Sequence, residues 1–472
     1  MAVADQNILI IGSGFAAAVT VIHLVQAGIK PATITIVGPG ALGAGNAYGC
    51  DDKDFRLNVR AALMWIWPEK RDDFGLWAKA NITDDPEAVQ NSGNFYRRRD
   101  FARYVKSCLD TVLADAGAPH NGITHHQQIV TGLGTADSGG WQASLDDGRL
   151  ITADHVILAT GNPTPQWPCR VNHAVMASPA TAKLLVQNPW DGRWLDHVTS
   201  GSRIAIIGSG LTALDAITAL ARRNHQAQIY LLAPHGNLPP VQADWVKQGP
   251  PIWPKPPRPS KILRRFRSYL PDLPPEDSRW QAAFEELRID INQQWAALND
   301  DDRRRLMRRL GWLWSRYRYR AAPQTIAAAT RLQQSGILDI CHARLTAINP
   351  GDDTPLRLDL TGAAGEGRCL DVDYVINCTG AGQDPFLASL VTAGIGVADA
   401  FGKGLRVTAD NQIIRPDGSA SKNLLMIGPQ MASSLGDVVA ASEVSLAAIR
   451  VAGNFAEQLV GRGKRHDGGI DA

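Results

Sequence analysis

Apolar residues form short strand-like runs that lead into glycine turns and then into helical stretches. The run Ile8–Ile11 precedes Gly12–Gly14 and an apolar helical segment over Phe15–Ala27. The same order returns at Ile204–Ile207 and Gly208–Gly210. Continuous apolar runs bounded by glycine are typical of strands in parallel sheets that are buried on both faces. The pattern therefore predicts two β-α-β units.

Each unit is closed by a second apolar strand that ends in Thr-Gly, at Val156–Gly161 and Val375–Gly380. A Gly-x-Gly turn exposes backbone N–H groups at a helix N-terminus, where a diphosphate can bind. One such turn is a weak signal, but its repetition with the same closing strand indicates two nucleotides facing each other. A flavin reduced by a nicotinamide is the commonest reason for that arrangement. We predict an α/β fold with two Rossmann-like dinucleotide-binding domains, one for FAD and one for NAD(P).

The long interval inside the second unit predicts an insert. Prolines dominate residues 236–275, and apolar stripes at helical spacing follow over residues 280–335. A strand near residue 425 and a long helix over Val438–Leu459 return the chain to the first domain. The predicted domains are therefore 1–165 (FAD, first part), 166–200 (a connector with little regular structure), 201–375 (NAD(P), with the Pro-rich and helical insert at 236–335) and 376–472 (FAD, second part).

Composition narrows the function classes. The chain has 472 residues, 44% of them hydrophobic, and a formal net charge of +2. Its six cysteines show no Cys-x-x-Cys spacing, which argues against a dithiol centre, and we expect no metal site. The arginines and aromatics of Arg303–Arg320 resemble a nucleic-acid surface, but neighbouring acids and the low net charge argue against one. No targeting pattern or membrane-length apolar run is visible, so we expect no membrane span and a cytoplasmic location.

Several motifs together carry a resemblance to a known family. They are Gly12–Gly14, Leu42–Gly49, Arg56–Val59, Arg98–Tyr104, Leu158–Asn162, Gly208–Gly210, Trp280–Trp295, Arg316–Pro323 and Ile427–Pro429. In these the chain resembles bacterial FAD/NAD(P)-binding oxidoreductases related to the flavin-dependent urate hydroxylases. These are distant relatives of the N-hydroxylating and Baeyer–Villiger flavin monooxygenases.

The resemblance and the first glycine turn together predict the FAD site. The resemblance implies that FAD binds in the first domain and that NADH or NADPH binds in the second. The residues we predict to contact FAD are Gly12, Ser13, Gly14, Phe15, Ala16, Asn46, Asn58, Arg98, Val130, Thr160, Gly161, Gly428, Pro429, Leu435 and Asp437. One departure concerns the adenine ribose, because Gly38 stands where such sites usually carry an acid.

The second glycine turn predicts the nicotinamide coenzyme site. Its predicted residues are Gly208, Ser209, Gly210, Leu211, Thr212, His235 and Gly380. The family often has an arginine just after the second strand of this domain, and the chain has Pro234-His235 there. NADH and NADPH therefore both stay open. His235 could meet a 2′-phosphate or simply be a solvated loop residue.

The candidate catalytic residues are Asn58 and Arg318. Asn58 could offer its amide to the flavin or to an oxygen adduct, or it could form an Asx turn. Arg318 or Arg320 could line the cleft and bind an anionic substrate or the nicotinamide diphosphate, or both could belong to the charged face of a helix. Arg98 and Arg99 could hold the FAD diphosphate, or lie at an interface or a solvated helix start.

These features favour an NAD(P)H-dependent flavin monooxygenase that hydroxylates a small polar substrate with O₂ through a flavin C4a-hydroperoxide. Such an intermediate must be shielded from water, and the insert at 236–335 is the candidate cover. Two alternatives stay open. One is a flavin dehydrogenase or reductase that passes electrons to an acceptor other than oxygen. The other is a non-catalytic nucleotide-binding or sensor protein.

Overall fold

The computed structural model describes residues 6–118, 122–137, 139–244, 258–269 and 277–466. Its strands are β1 Ile8–Ile11, β2 Ile34–Val37, β3 Val89–Gln90, β4 Gly93–Asn94, β5 Thr124–His126, β6 Val130–Thr135, β7 Trp141–Leu145, β8 Leu150–Ala153, β9 His155–Leu158, β10 Arg170–Val171, β11 Leu185–Val186, β12 Ile204–Ile207, β13 Ile229–Leu232, β14 Leu338–Cys341, β15 Ala343–Pro350, β16 Leu356–Gly362, β17 Gly367–Val372, β18 Tyr374–Asn377, β19 Gln412–Ile414 and β20 Ala420–Met426.

Helices alternate with these strands in the manner of an α/β protein. They are α1 Phe15–Gln26, α2 Gly45–Tyr48, α3 Asp73–Asn81, α4 Arg98–Asp115, α5 His173–Ala177, α6 Pro179–Ala182, α7 Leu211–Arg222, α8 Pro259–Tyr269, α9 Arg279–Ala296, α10 Asp300–Arg318, α11 Pro323–Gln334, α12 Pro385–Thr392, α13 Ala432–Leu435 and α14 Ala441–His466. Within the described ranges, no helix combines the length and apolar character needed to cross a membrane.

The first unit is a six-stranded sheet in the order β19-β20-β9-β1-β2-β5, with its packed helices. Strand β1 pairs in parallel with β2 and β9, and β20 pairs in parallel with β9. All four residues of β1 are buried, since α1 and its neighbours α4 and α14 cover the sheet. The last two strands come from residues 412–426, so the chain leaves this sheet after β9 and later returns to it.

The second unit is a five-stranded sheet in the order β11-β18-β12-β13-β14. All four pairings in it are parallel. Helix α7 follows β12 directly and buries its apolar face on the sheet with α11. The first sheet is parallel apart from its edge strand β19, which pairs antiparallel with β20, and the second is wholly parallel. A strand–glycine turn–helix at the centre of each sheet confirms the predicted α/β class with two Rossmann-like units.

The insert consists of α8 to α11, between β13 and β14. Phe284, Leu287, Leu298 and Tyr317 are buried together in a core of their own. The predicted apolar stripes on α9 and α10 therefore face each other. Asn299 caps α10 by accepting from the Asp302 N–H, so that helix begins at the predicted acidic run.

The structure differs from the sequence prediction at three places. The predicted connector at 166–200 contains β10 and β11, which pair with β15 and β18. Strand β18 crosses the predicted 375/376 boundary and belongs to the second sheet. The long C-terminal helix starts at Ala441 rather than Val438, because Gly436 adopts a φ of 93° and the Asp437 N–H donates to the Asn292 side chain.

Candidate active site

The first glycine turn is shaped by close backbone packing. Gly12 has a φ of 116°, and a Cβ there would lie 2.2 Å from the carbonyl oxygen of Ala159. Helix α1 starts at Phe15 without a side-chain cap, so its first N–H groups have no side-chain acceptor. Free N–H groups at a helix N-terminus suit the diphosphate of a dinucleotide. The turn therefore fits the predicted cofactor.

The same packing explains the missing ribose acid. A Cβ on Gly38 would lie 2.5 Å from the backbone nitrogen of Ser13, so no side chain fits at the end of β2. Ser13 itself is buried and donates its hydroxyl to the Pro39 carbonyl. The ribose of a bound nucleotide would consequently find no carboxylate at this strand end.

The second glycine turn repeats this geometry with more open space. Gly208 has a φ of 93°, and a Cβ there would lie 2.8 Å from the carbonyl oxygen of Cys378. Gly210 precedes α7 with no side-chain cap. No heavy atom lies within 4 Å of the Cβ position at Gly210 or Gly380. A phosphate can therefore approach the α7 N-terminus closely, and the residues fit a nicotinamide dinucleotide.

One cavity of about 710 Å³ joins the two units. The first unit contributes Asn46–Tyr48 of α2, the bend at Asn58 and the segment Val439–Ala441 at the start of α14. The second contributes the Gly208–Thr212 turn and Cys378–Ala381. Predicted site residues that line the cavity are Asn46, Asn58, Arg98, Gly208, Ser209, Gly210, Leu211, Thr212, His235, Arg318, Gly380 and Pro429.

The remaining predicted FAD residues lie outside this cavity. Phe15, Ala16 and Val130 are buried in the first core, and Thr160 accepts a hydrogen bond from Gln430. Leu435 lies on a separate surface groove. The others outside it are Gly12, Ser13, Gly14, Gly161, Gly428 and Asp437. Contact with FAD stays a prediction for every residue of the predicted FAD site.

Arg98 connects the two units. One of its terminal nitrogens lies 2.9 Å from a carboxylate oxygen of Asp215 on α7, and the other donates to the Ala47 carbonyl. Burial raises the pKa of Asp215, and the charge of Arg98 opposes that rise. Arg98 thus lines the cavity and also bridges α4 to α7. Its neighbour Arg99 donates to the Asp51 carbonyl.

Asn58 and Tyr48 form part of the first unit's wall. No hydrogen bond ties the Asn58 side chain to another residue in the described ranges, so its amide is available to a ligand. Tyr48 packs edge-on against Phe15 and Phe101. Burial raises the pKa of Tyr48 to about 12, so the phenol stays protonated at neutral pH.

Asp437 is held by two arginines of the insert. Arg318 Nε lies 2.7 Å from its Oδ2, and Arg288 Nε donates to the same oxygen. Burial alone would raise the pKa of Asp437, but the charges of Arg318 and Arg288 outweigh it and hold the pKa below its usual value. The Oδ1 atom is buried without a hydrogen-bond partner among the described residues. The two candidate residues Asp437 and Arg318 are therefore one ion pair.

Helix α10, which carries the candidate Arg318, supplies one wall of the cavity, and four of its lining residues are not among the predicted site residues. Trp312, Ser315, Arg316 and Tyr319 line it beside Arg318. Arg320 points elsewhere and pairs with Glu285. The alternation of arginine and aromatic residues was the available signal, but the sequence does not tell which face of α10 meets the second unit.

Comparisons with known proteins agree with this architecture. Residues 9–163 match a family model described as FAD-NAD(P)-binding, so the first unit contains an FAD-NAD(P)-binding domain. No curated protein matches the chain.

Three solved structures illustrate the likeness in fold. An ornithine N-hydroxylase from Kutzneria sp. 744, solved with reduced FAD, NADP⁺ and L-ornithine, is 14% identical with a TM-score of 0.61, over 98% of this chain and 99% of that chain. The FAD-bound cadaverine monooxygenase from Erwinia amylovora is 12% identical with a TM-score of 0.64, over 97% and 95%. Thioredoxin reductase from T. acidophilum is 11% identical with a TM-score of 0.52, over 96% and 99%.

Proposed function

We propose that the protein is an FAD-dependent, NAD(P)H-consuming monooxygenase that hydroxylates a small polar substrate. The observation that carries this proposal is the shared cavity. This space is lined by segments of both units. The second unit contributes the Gly208–Thr212 turn, and the first unit contributes Asn46–Tyr48 and Val439–Ala441. Two dinucleotides bound at the two turns could bring their reactive rings together there.

Bound FAD would supply the two-electron chemistry, with NAD(P)H as the reductant. The chain's own residues bind and orient. The N-termini of α1 and α7 would receive the two diphosphates, because both helices start behind a glycine and lack a side-chain cap. The Asn58 amide would hydrogen-bond to a ligand in the cavity.

The cover on one side of the cavity favours a monooxygenase over a simple reductase. Helix α10 and the loop His235–Pro239 close one side of the cavity. The ion pairs from Arg288 and Arg318 to Asp437 fix this cover to the first unit. A water-excluding cover is what oxygen-activating flavin chemistry requires. The fold comparisons support the same choice, since the N-hydroxylating monooxygenases give higher TM-scores than the thioredoxin reductase.

The proposal extends to points that rest on the sequence motifs. It includes a relation to the flavin-dependent urate hydroxylases, O₂ as co-substrate and a cytoplasmic location. It also assigns residues 1–165 and the C-terminal part to FAD, and the second unit with its insert to NAD(P)H. The substrates named for the similar structures make ornithine, lysine and cadaverine the first compounds to test.

An absorbance spectrum followed by anaerobic titration tests this function. We expect flavin bands in the purified or FAD-supplemented protein and their bleaching by NADPH or NADH. On admission of air, substrate should couple coenzyme oxidation to a hydroxylated product.

Two other outcomes would contradict the proposal. A reduced flavin that persists in air but is rapidly reoxidised by a quinone would instead favour a reductase. A protein that binds no FAD would favour the non-catalytic alternative.

A further inference from the structure

The adenosine end of a coenzyme at the second turn has a defined place. In a Rossmann unit the diphosphate lies at the N-terminus of the first helix, and the adenosine ribose lies beyond the end of the second strand. Here those positions are Gly210 and the loop that follows β13, which contains His235. Residues 233–239, the part of this loop next to the strand end, include no acid to bind a free 2′-hydroxyl and no arginine to bind a 2′-phosphate. Recognition of the ribose must therefore come from another element.

Helix α10 of the insert supplies an aromatic surface at that place. The Trp312 ring stacks on the His235 ring, with centroids 4.8 Å apart and planes 24° from parallel. Trp312 lines the cavity and is 44% exposed, which is a large exposure for tryptophan. An exposed aromatic face beside a nucleotide site suits a purine, since bases stack on aromatic side chains.

Arg316 follows Trp312 by one helical turn and lines the same cavity. Arg304 and Arg318 on α10 have acidic partners, Asp301 and Asp437. Arg308 and Arg309 have none among the described residues, but both are exposed and lie outside the cavity. Arg316 is half-buried, and its guanidinium lies over the Tyr317 ring, 5.7 Å from the ring centroid. It forms no ion pair or hydrogen bond with any other residue in the described part of the chain. A guanidinium without a carboxylate partner, in a cavity wall next to an aromatic stack, is suited to a phosphate.

We propose that α10 makes the coenzyme site specific for NADPH: adenine stacks on Trp312 and His235, and the 2′-phosphate binds Arg316. This inference rests on the proposed function, in which the second unit binds a nicotinamide coenzyme. The usual arginine after β13 is thus replaced by one from the insert, so the same insert that covers the cavity also selects the coenzyme.

Calorimetric titration of the full-length protein with adenosine 2′,5′-bisphosphate and with adenosine 5′-monophosphate tests this without any turnover. We expect the wild type to bind the bisphosphate at least about tenfold more tightly, as a charge-assisted hydrogen bond predicts. In Arg316→Gln that ratio should fall to within about twofold. Arg316→Lys, which keeps the charge, should retain a larger ratio than Arg316→Gln.

Two further variants separate the two parts of the site. Arg308→Gln removes an exposed arginine from the same helix outside the cavity, and it should keep the wild-type ratio. Trp312→Ala should weaken both nucleotides about fivefold or more while keeping their ratio, because stacking does not depend on the 2′-phosphate.

Equal affinity of the wild type for both nucleotides, or an unchanged ratio in Arg316→Gln, overturns the inference. So does a change in the substrate KM of Arg316→Gln with no change in that ratio, which would assign Arg316 to an anionic substrate. If NADH reduced the flavin as fast as NADPH, this inference would be contradicted and the proposed function would stand. If the protein took up no FAD, the proposed function would be contradicted. The ratio of the two nucleotide affinities would still test the coenzyme site.

Discussion

The two glycines of the second turn are needed for different physical reasons. Gly208 has a positive φ, and a Cβ would meet the Cys378 carbonyl at 2.8 Å, so the fold itself excludes a side chain. Gly210 has a φ of −79° and open space at its Cβ position. A side chain there would be compatible with the fold but would occupy the space in front of α7. Substitution can therefore separate packing from ligand approach.

Alanine at each position is the test. Gly208→Ala should lower the free energy of unfolding by about 2 kcal/mol or more, because an alanine at positive φ is strained and its Cβ also clashes. Gly210→Ala should leave the melting temperature nearly unchanged and weaken NADP⁺ binding about tenfold. Thermal denaturation and calorimetric titration measure the two effects. Gly210→Ala that binds NADP⁺ as tightly as wild type would mean that the diphosphate does not lie at α7.

The sequence predicts helices and strands of four or more residues when their apolar residues recur with a clear period. Strands β1 and β12 lie where their apolar runs predicted them, because a buried strand is a local hydrophobic signal. Strands β10 and β11 were missed, since two residues carry no period. Of the α10 wall only Arg318 was a candidate. Trp312 and Arg316 were missed, because the face of α10 that meets the second unit depends on how the insert docks. That docking depends on Asp437, whose partners on α9 and α10 are distant in sequence.

Replacing Asp437 by asparagine tests how the insert is anchored. Arg288 and Arg318 would then share a neutral amide, and we expect a loss of about 3 kcal/mol in the free energy of unfolding. The folded-state pKa of Asp437 is below its usual value, so its stabilisation is present above about pH 4 and lost as the pH falls through the folded pKa.

Urea denaturation of wild type and Asp437→Asn as a function of pH measures this effect. The difference between the two proteins should be largest near neutral pH and shrink below about pH 4. Lys403→Gln, an exposed site on the first unit, serves as the control that should behave as wild type. Equal stability of Asp437→Asn and wild type at pH 7 would show that the insert docks without this charge.

At the scale of the whole molecule, α7 joins the two units through several ion pairs. Asp215 in the N-terminal half of α7 forms an ion pair with Arg98 of the first unit. Arg222 at the C-terminal end of α7 forms ion pairs with Asp54 and Glu87. Asp54 is buried, and burial raises its pKa while the charge of Arg222 opposes the rise. The next residue, Phe55, packs in the core of the second unit. The segment around residues 50–56 therefore holds the helix that carries the second glycine turn against the first unit.

Loosening this junction should slow electron transfer between the cofactors without abolishing binding. In the double variant Arg222→Gln/Arg223→Gln, the pairs to Asp54, Glu87 and Asp52 are lost. We expect flavin reduction at saturating coenzyme to slow about tenfold or more, because small misplacements of reacting groups are costly. FAD content and coenzyme affinity should stay within about twofold of wild type. Anaerobic stopped-flow absorbance measures the rate, and Arg193→Gln, which removes an exposed local pair, is the control. An unchanged rate would mean that apolar contacts alone align the two units.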